Sequence, residues 1–190
     1  MTPMPDNNKY FIGIIPPAPI LEQVQEIKKN FRDHFQSKAA LQSPPHITLH
    51  MPFDWKDKKE SKLIESLQRL SLLLVPVNVT LKNFGAFPPK TIFIQVGTSD
   101  ALVQLQNEVR QHCKKVLGLF NADYKDLPFH PHLTVAFRDL KKPNFVKAWE
   151  EYRNKLFDAE FIAHRICLLK HDGEKWNSFR EFEIGISNPA

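Results

Sequence analysis

Two short segments constrain this chain more than any other feature: Pro45-His46-Ile47-Thr48-Leu49 and Pro131-His132-Leu133-Thr134-Val135. Each sets alternating apolar and polar residues behind a proline, which disfavours helix and fits a strand with one apolar face. Residues two apart on a strand share a face and lie about 6.6 Å apart. Thr48 therefore stands beside His46, and Thr134 beside His132. One His-x-Thr on a strand is a weak signal, but two in the same local context are a strong one.

The segments around them repeat in order. Tyr10–Ile15 reads as a short buried strand closed by Pro16-Pro17. From Pro19 to Phe35, Ile20, Val24, Ile27, Phe31 and Phe35 recur at helical spacing. Residues 43–53 are the first motif strand, 57–74 a second helix on Leu63, Leu67, Leu70 and Leu74, and 75–84 a strand. After the turn 85–90 comes a strand at 91–96 and a helix at 100–118 ending near Gly118. The second motif strand (129–137), a helix (143–156) and strands at 160–169 and 176–184 complete the chain.

The fold class expected is α+β, with duplicated strand–helix–strand–helix–strand halves. Two mainly antiparallel sheets would face each other across a central cleft, with helices outside. The whole, 1–190, would be a single bilobal domain, with pseudo-symmetric halves at about 9–84 and 91–186. Equivalent strands of facing halves would then aim all four motif side chains into that cleft.

Such a set suits acid–base chemistry on a phosphodiester. An imidazole exists in either protonation state near neutral pH. One histidine, neutral, takes a proton from an attacking water or ribose hydroxyl; the other, protonated, gives one to the leaving oxygen. The threonine hydroxyls donate to the non-bridging oxygens, where charge builds up. No metal and no cofactor is expected. His130 and His132 form an HPH pair that can chelate zinc, but no HExxH or cysteine cluster supplies the rest of a site.

Composition sets the surroundings. Lys and Arg number 26 against 21 Asp and Glu, a formal charge of +5, which is compatible with an anionic ligand. The 42% apolar residues suffice for a core. Cys113 and Cys167 show no paired spacing and read as reduced thiols of a cytoplasmic protein. The start lacks the pattern of a signal peptide, and no apolar run is long enough to span a membrane. No Walker-type glycine loop is present, so a nucleotide triphosphatase is unsupported.

With PPHITL, FHPHLTVA, the duplicated order, LKNFGAFPPKTIFIQV and the closing Trp176/Phe179 pair, the chain resembles the 2H phosphoesterase superfamily, in its 2′-5′ RNA ligase-like and cyclic phosphodiesterase branch. The resemblance implies that His46 and His132 are catalytic and that Thr48 and Thr134 bind phosphate. It also implies substrates with 2′,3′-cyclic phosphates or 2′-5′ linkages, in RNA ends or small nucleotide phosphodiesters, and no metal. Arg138 is the candidate for the basic residue that members often carry after the second motif, although it lies about 20 Å along the strand from His132.

Other residues are weighed on the same geometry. Phe11, Phe53, Trp55, Tyr124 and Phe129 flank the motif segments and are candidates to stack on a base, Phe53 foremost. His50, about 13 Å along the strand from His46, is expected at the rim or surface. A non-catalytic module that binds RNA or nucleotides in the same cleft is the alternative function. A monomer is expected.

Overall fold

The computed structural model describes residues 7–120 and 128–185. The eight strands among them are β1 (Asn7–Ile14), β2 (Ile47–Lys56), β3 (Val77–Phe87), β4 (Thr91–Val96), β5 (His132–Ala136), β6 (Asp158–Ala163), β7 (Arg165–His171) and β8 (Trp176–Glu183). The α-helices among the described residues are α1 (Ile20–Phe35), α2 (Glu60–Ser71), α3 (Asp100–Leu117) and α4 (Lys142–Tyr152). The α+β class and the antiparallel pairing follow the sequence expectation.

The strands run β6-β3-β4-β5-β2-β1-β7-β8 in one curled antiparallel sheet. Its two sides, β6-β3-β4-β5 and β2-β1-β7-β8, meet at one paired position among the described residues, Ile47 with Leu133. They behave as two four-stranded half-sheets sharing a seam, and both motif strands lie at that seam.

The sequence halves and the half-sheets do not coincide. The boundary expected at 85–90 falls inside the β3–β4 hairpin, where Gly85 pairs with Phe93, so 77–96 lies in one half-sheet. The single strand expected at 160–169 is two strands. β6 pairs with β3, and after His164 the chain crosses over, so that β7 pairs with β1. The N-terminal strand thus finds its outer neighbour at the far end of the chain.

The ends of α3 carry the usual signals. Ser99 caps α3, its hydroxyl accepting from the Leu102 N–H at 3.2 Å, and Gly118 closes the helix in the left-handed region at φ 67°. The apolar stripes meet in one core. Phe31 of α1 packs on Tyr152 of α4 with ring centroids 4.6 Å apart, and the Tyr152 hydroxyl donates to Asn30 at 2.9 Å. No helix among the described residues is long and apolar enough to cross a membrane.

Candidate active site

Alternation on the two seam strands decides what reaches the cleft. Ile47, Leu49, Leu133 and Val135 are buried in the core. His46, Thr48, His132 and Thr134 point the other way, are half-buried, and line one cleft of about 1160 Å³. Continuing the antiparallel register outward from Ile47–Leu133 sets His46 opposite Thr134 and Thr48 opposite His132. Directly opposed Cβ atoms lie about 5 Å apart and diagonal ones about 7–8 Å, so the four side chains form a small square with the histidines on one diagonal.

The two histidines are held alike. Nδ1 of His46 lies 2.7 Å from the Pro44 carbonyl oxygen, and Nδ1 of His132 lies 2.8 Å from that of His130. A carbonyl oxygen only accepts, so each Nδ1 carries the hydrogen and each Nε2 is left for chemistry. Equivalent phenylalanines pack on the rings: Phe11 of β1 at 4.6 Å from His46, and Phe93 of β4 at 5.2 Å from His132. Gly85 leaves room for the Phe93 ring, since a Cβ there would come within 2.5 Å of it.

The electrostatics are less symmetric. Burial pushes the His46 imidazole down from 6.5 to about 4, against the Pro44 carbonyl and with help from Lys28 and His132. Burial also lowers His132, opposed by the His130 carbonyl and aided by the His130 ring. Burial thus favours the neutral form of both rings in the free protein, and a bound anion would favour the imidazolium form of both.

Beyond the square, one flank of α3 forms a polar wall through Gln104, Gln106, Asn107 and Arg110. Gln106 donates to the Leu49 carbonyl at 3.3 Å, fixing α3 to β2. Arg110 donates to the Asn107 side chain at 2.7 Å. Phe87, Phe129 and Phe137 line the same cleft. The polar stripe on α3 reads in sequence as an ordinary solvated helix face, so nothing there points to the cleft.

Several expected residues lie elsewhere. Phe53 is 6% exposed, in the core against Tyr10 at 6.0 Å, and does not line the cleft. Arg138 is exposed beyond the end of β5 with φ 60°; its guanidinium lies over Phe137 at 4.9 Å and does not line the cleft either. Its backbone has left the strand, which ends the alternation that aimed it. His50 is 1% exposed rather than at the rim. Two register shifts between β1 and β2 flip the phase of the strand around it, turning His50 inward and Met51 out. Phe11 is buried beneath His46, and Trp55 donates to the Lys59 carbonyl at 2.8 Å. Phe129 does line the cleft; Tyr124 lies outside the described residues. His130 and His132 stay 6.1 Å apart, ring to ring. Among the described residues, no group of three or more His, Cys, Asp or Glu side chains is placed to hold a metal ion.

Known proteins share both sequence and fold with this chain. The "Putative phosphoesterase" of Bacillus licheniformis is 31% identical over 180 residues, covering 93% of this chain and 99% of its own. That of Geobacillus kaustophilus is 27% identical over 180 residues, covering 93% and 96%. Among solved structures, TT0787 of Thermus thermophilus superposes with a TM-score of 0.69 at 20% identity, covering 93% of this chain and 98% of that one. Escherichia coli LigT, solved with 3′-AMP, gives 0.66 at 20% identity, covering 94% and 98%. At that identity the structures speak for the fold alone. The model of the 2′-5′ RNA ligase superfamily matches residues 16–175, a span that includes both histidine motifs and the seam between them, and the chain belongs to that superfamily.

Proposed function

We propose that this protein is a phosphodiesterase that opens 2′,3′-cyclic phosphates or cleaves 2′-5′ linkages of RNA or nucleotides, by acid–base chemistry that needs no metal. The observation that carries the reading is the matched pair of histidines, each with Nδ1 on a carbonyl two residues earlier and Nε2 left for a shared cleft. The family's name and the phosphoesterase names of its relatives support the same class of chemistry.

In the reaction so read, one neutral Nε2 removes a proton from water as the water oxygen bonds to phosphorus. The other Nε2, protonated, delivers its hydrogen to the ribose oxygen as the P–O bond breaks. Protons lost and gained balance, and the two histidines exchange protonation state over one turnover. Thr48 and Thr134 donate to the non-bridging oxygens from the other diagonal of the square. The cleft's volume of about 1160 Å³ and the phenylalanines among its lining residues offer room for a nucleoside beside the reacting phosphate.

The test is turnover of 2′,3′-cyclic nucleotides and 2′-5′-linked dinucleotides with EDTA present. Activity that survives the chelator supports the reading; activity abolished by EDTA and restored by a metal ion overturns it. His46→Ala and His132→Ala are each expected to lower kcat by about 10²–10⁴. Binding of nucleotides without turnover of any of these substrates would favour a recognition module instead. We further read the protein as a cytoplasmic monomer, in keeping with its free, buried Cys113 and Cys167; sedimentation and cell fractionation check this.

A further inference from the structure

Lys28 is 1% exposed, and no other Lys, Arg, Asp or Glu among the described residues is buried. It sits on α1 with its Nζ 3.0 Å from the Ser43 carbonyl oxygen. Ser43 lines the cleft, and the next residue, Pro44, supplies the carbonyl that holds the His46 ring. A buried ammonium is therefore attached to the loop that positions one histidine, and among the described residues the other side of the seam has no buried Lys or Arg to match it.

Resting on the phosphodiesterase reading, we propose that Lys28 breaks the symmetry of the site, making His46 the general base and His132 the general acid. A positive charge beside an imidazole disfavours a second one, so the ring nearer Lys28 is the one that waits unprotonated and accepts. The ring remote from it is the one that carries the proton to the leaving oxygen. The charged or titratable groups acting on His46 are Lys28 from α1 and His132 from β5, and both push its protonation down; on His132 the neighbour is His130. Lys28 touches neither substrate nor reacting atoms in this scheme and is a positioning residue.

Two experiments test the proposal. The first follows the imidazole titrations by NMR in protein labelled at histidine, for wild type, Lys28→Met and Lys28→Arg. Lys28→Met is expected to raise the His46 midpoint by up to about one pH unit while His132 stays put, and Lys28→Arg to restore the wild-type value. An unmoved His46, or equal movement of both rings, overturns the proposal. Should Lys28→Met not fold, the charge is read in wild type with lysine labelled at Nζ: Lys28 protonated at pH 5 supports the scheme, and Lys28 neutral there sinks it.

The second compares substrates. An aryl phosphodiester with p-nitrophenolate as leaving group needs no proton from the enzyme. His132→Ala should lose far less on it than on a cyclic nucleotide, and His46→Ala should lose as much on both. The opposite pattern overturns the assignment of roles. A wild-type protein that turns over neither substrate refutes the enzymatic reading itself, and the NMR titrations, which need no turnover, separate that failure from this one.

Discussion

Ile47 pairs with Leu133, and among the described residues this rung alone joins the two half-sheets. Both side chains are fully buried, and the residues flanking them, His46, Thr48, His132 and Thr134, are motif residues that line the cleft. Packing at the rung and geometry at the site are thus one question. Ile47→Ala should cost about 2–5 kcal/mol in stability and should lower kcat by more than the loss of folded protein explains, because His46 and Thr48 shift with it. Ile47→Val, at about 0.5–1.5 kcal/mol, should keep near-normal turnover. Urea denaturation and kinetics on the same preparations check the contrast.

The threonines predict the reverse balance. Thr48→Val and Thr134→Val keep shape and remove one donor from a half-exposed position. Thermal stability should change little, whereas kcat should fall by about 10²-fold for each. A loss confined to KM would mean that the hydroxyls grip the ground state only.

The pH dependence follows from burial. In the free enzyme the base must be unprotonated and the acid protonated. With His46 in the first role, kcat/KM rises through its depressed pKa of about 4. It then falls through that of His132, which burial also holds below 6.5. The optimum of kcat/KM is therefore expected on the acidic side of 6.5. The kcat profile should sit at higher pH, since the bound phosphodiester anion favours both imidazolium forms. Rate measurements from acidic to mildly alkaline pH, with saturating and limiting substrate, give the two curves.

Burying Lys28 leaves a mark on stability as well. Its pKa is lowered from 10.5 to about 7 by burial, so between those values the unfolded chain binds more protons than the folded one. This contribution therefore rises with pH across that window and is least favourable below it. Lys28→Met should be more stable than wild type at about pH 6, by on the order of a few kcal/mol, and the advantage should shrink as pH rises towards the unfolded value of 10.5. Denaturation of both proteins at several pH values reads the difference directly.

The motif histidines were legible because alternation behind a proline dictates both strand and face, and because the same device occurs twice. Lys28 carried a signal as well: it falls four residues after Val24 and three before Phe31, on the apolar stripe of α1, where a charge is anomalous. His50 was misplaced because strict alternation was carried through β2, whereas two register shifts interrupt it. Pro52, which has no N–H to give to the ladder of an inner strand, was the one sign of a bulge. Phe53 was singled out for flanking the motif, although alternation from Ile47 and Leu49 already puts it on the core side, where it lies. The break at His164 was silent, because β6 and β7 share one continuous apolar pattern and only pairing partners separate them. Arg138 lies two residues past the end of β5 at Ala136, with φ 60°, so strand alternation no longer aims it at the cleft.

The return of β7 to β1 orders events on the ribosome. Residues 77–163 hold all four strands of one half-sheet in a contiguous stretch, available to form while synthesis continues. The other half-sheet has β1 and β2 early but waits for residues 165–183 to supply their companions. A nascent chain stalled just before Arg165 would already contain His46, Thr48, His132 and Thr134, yet lack the strand that supports β1 beneath His46. Premature termination there should yield a polypeptide with every motif residue and no working cleft.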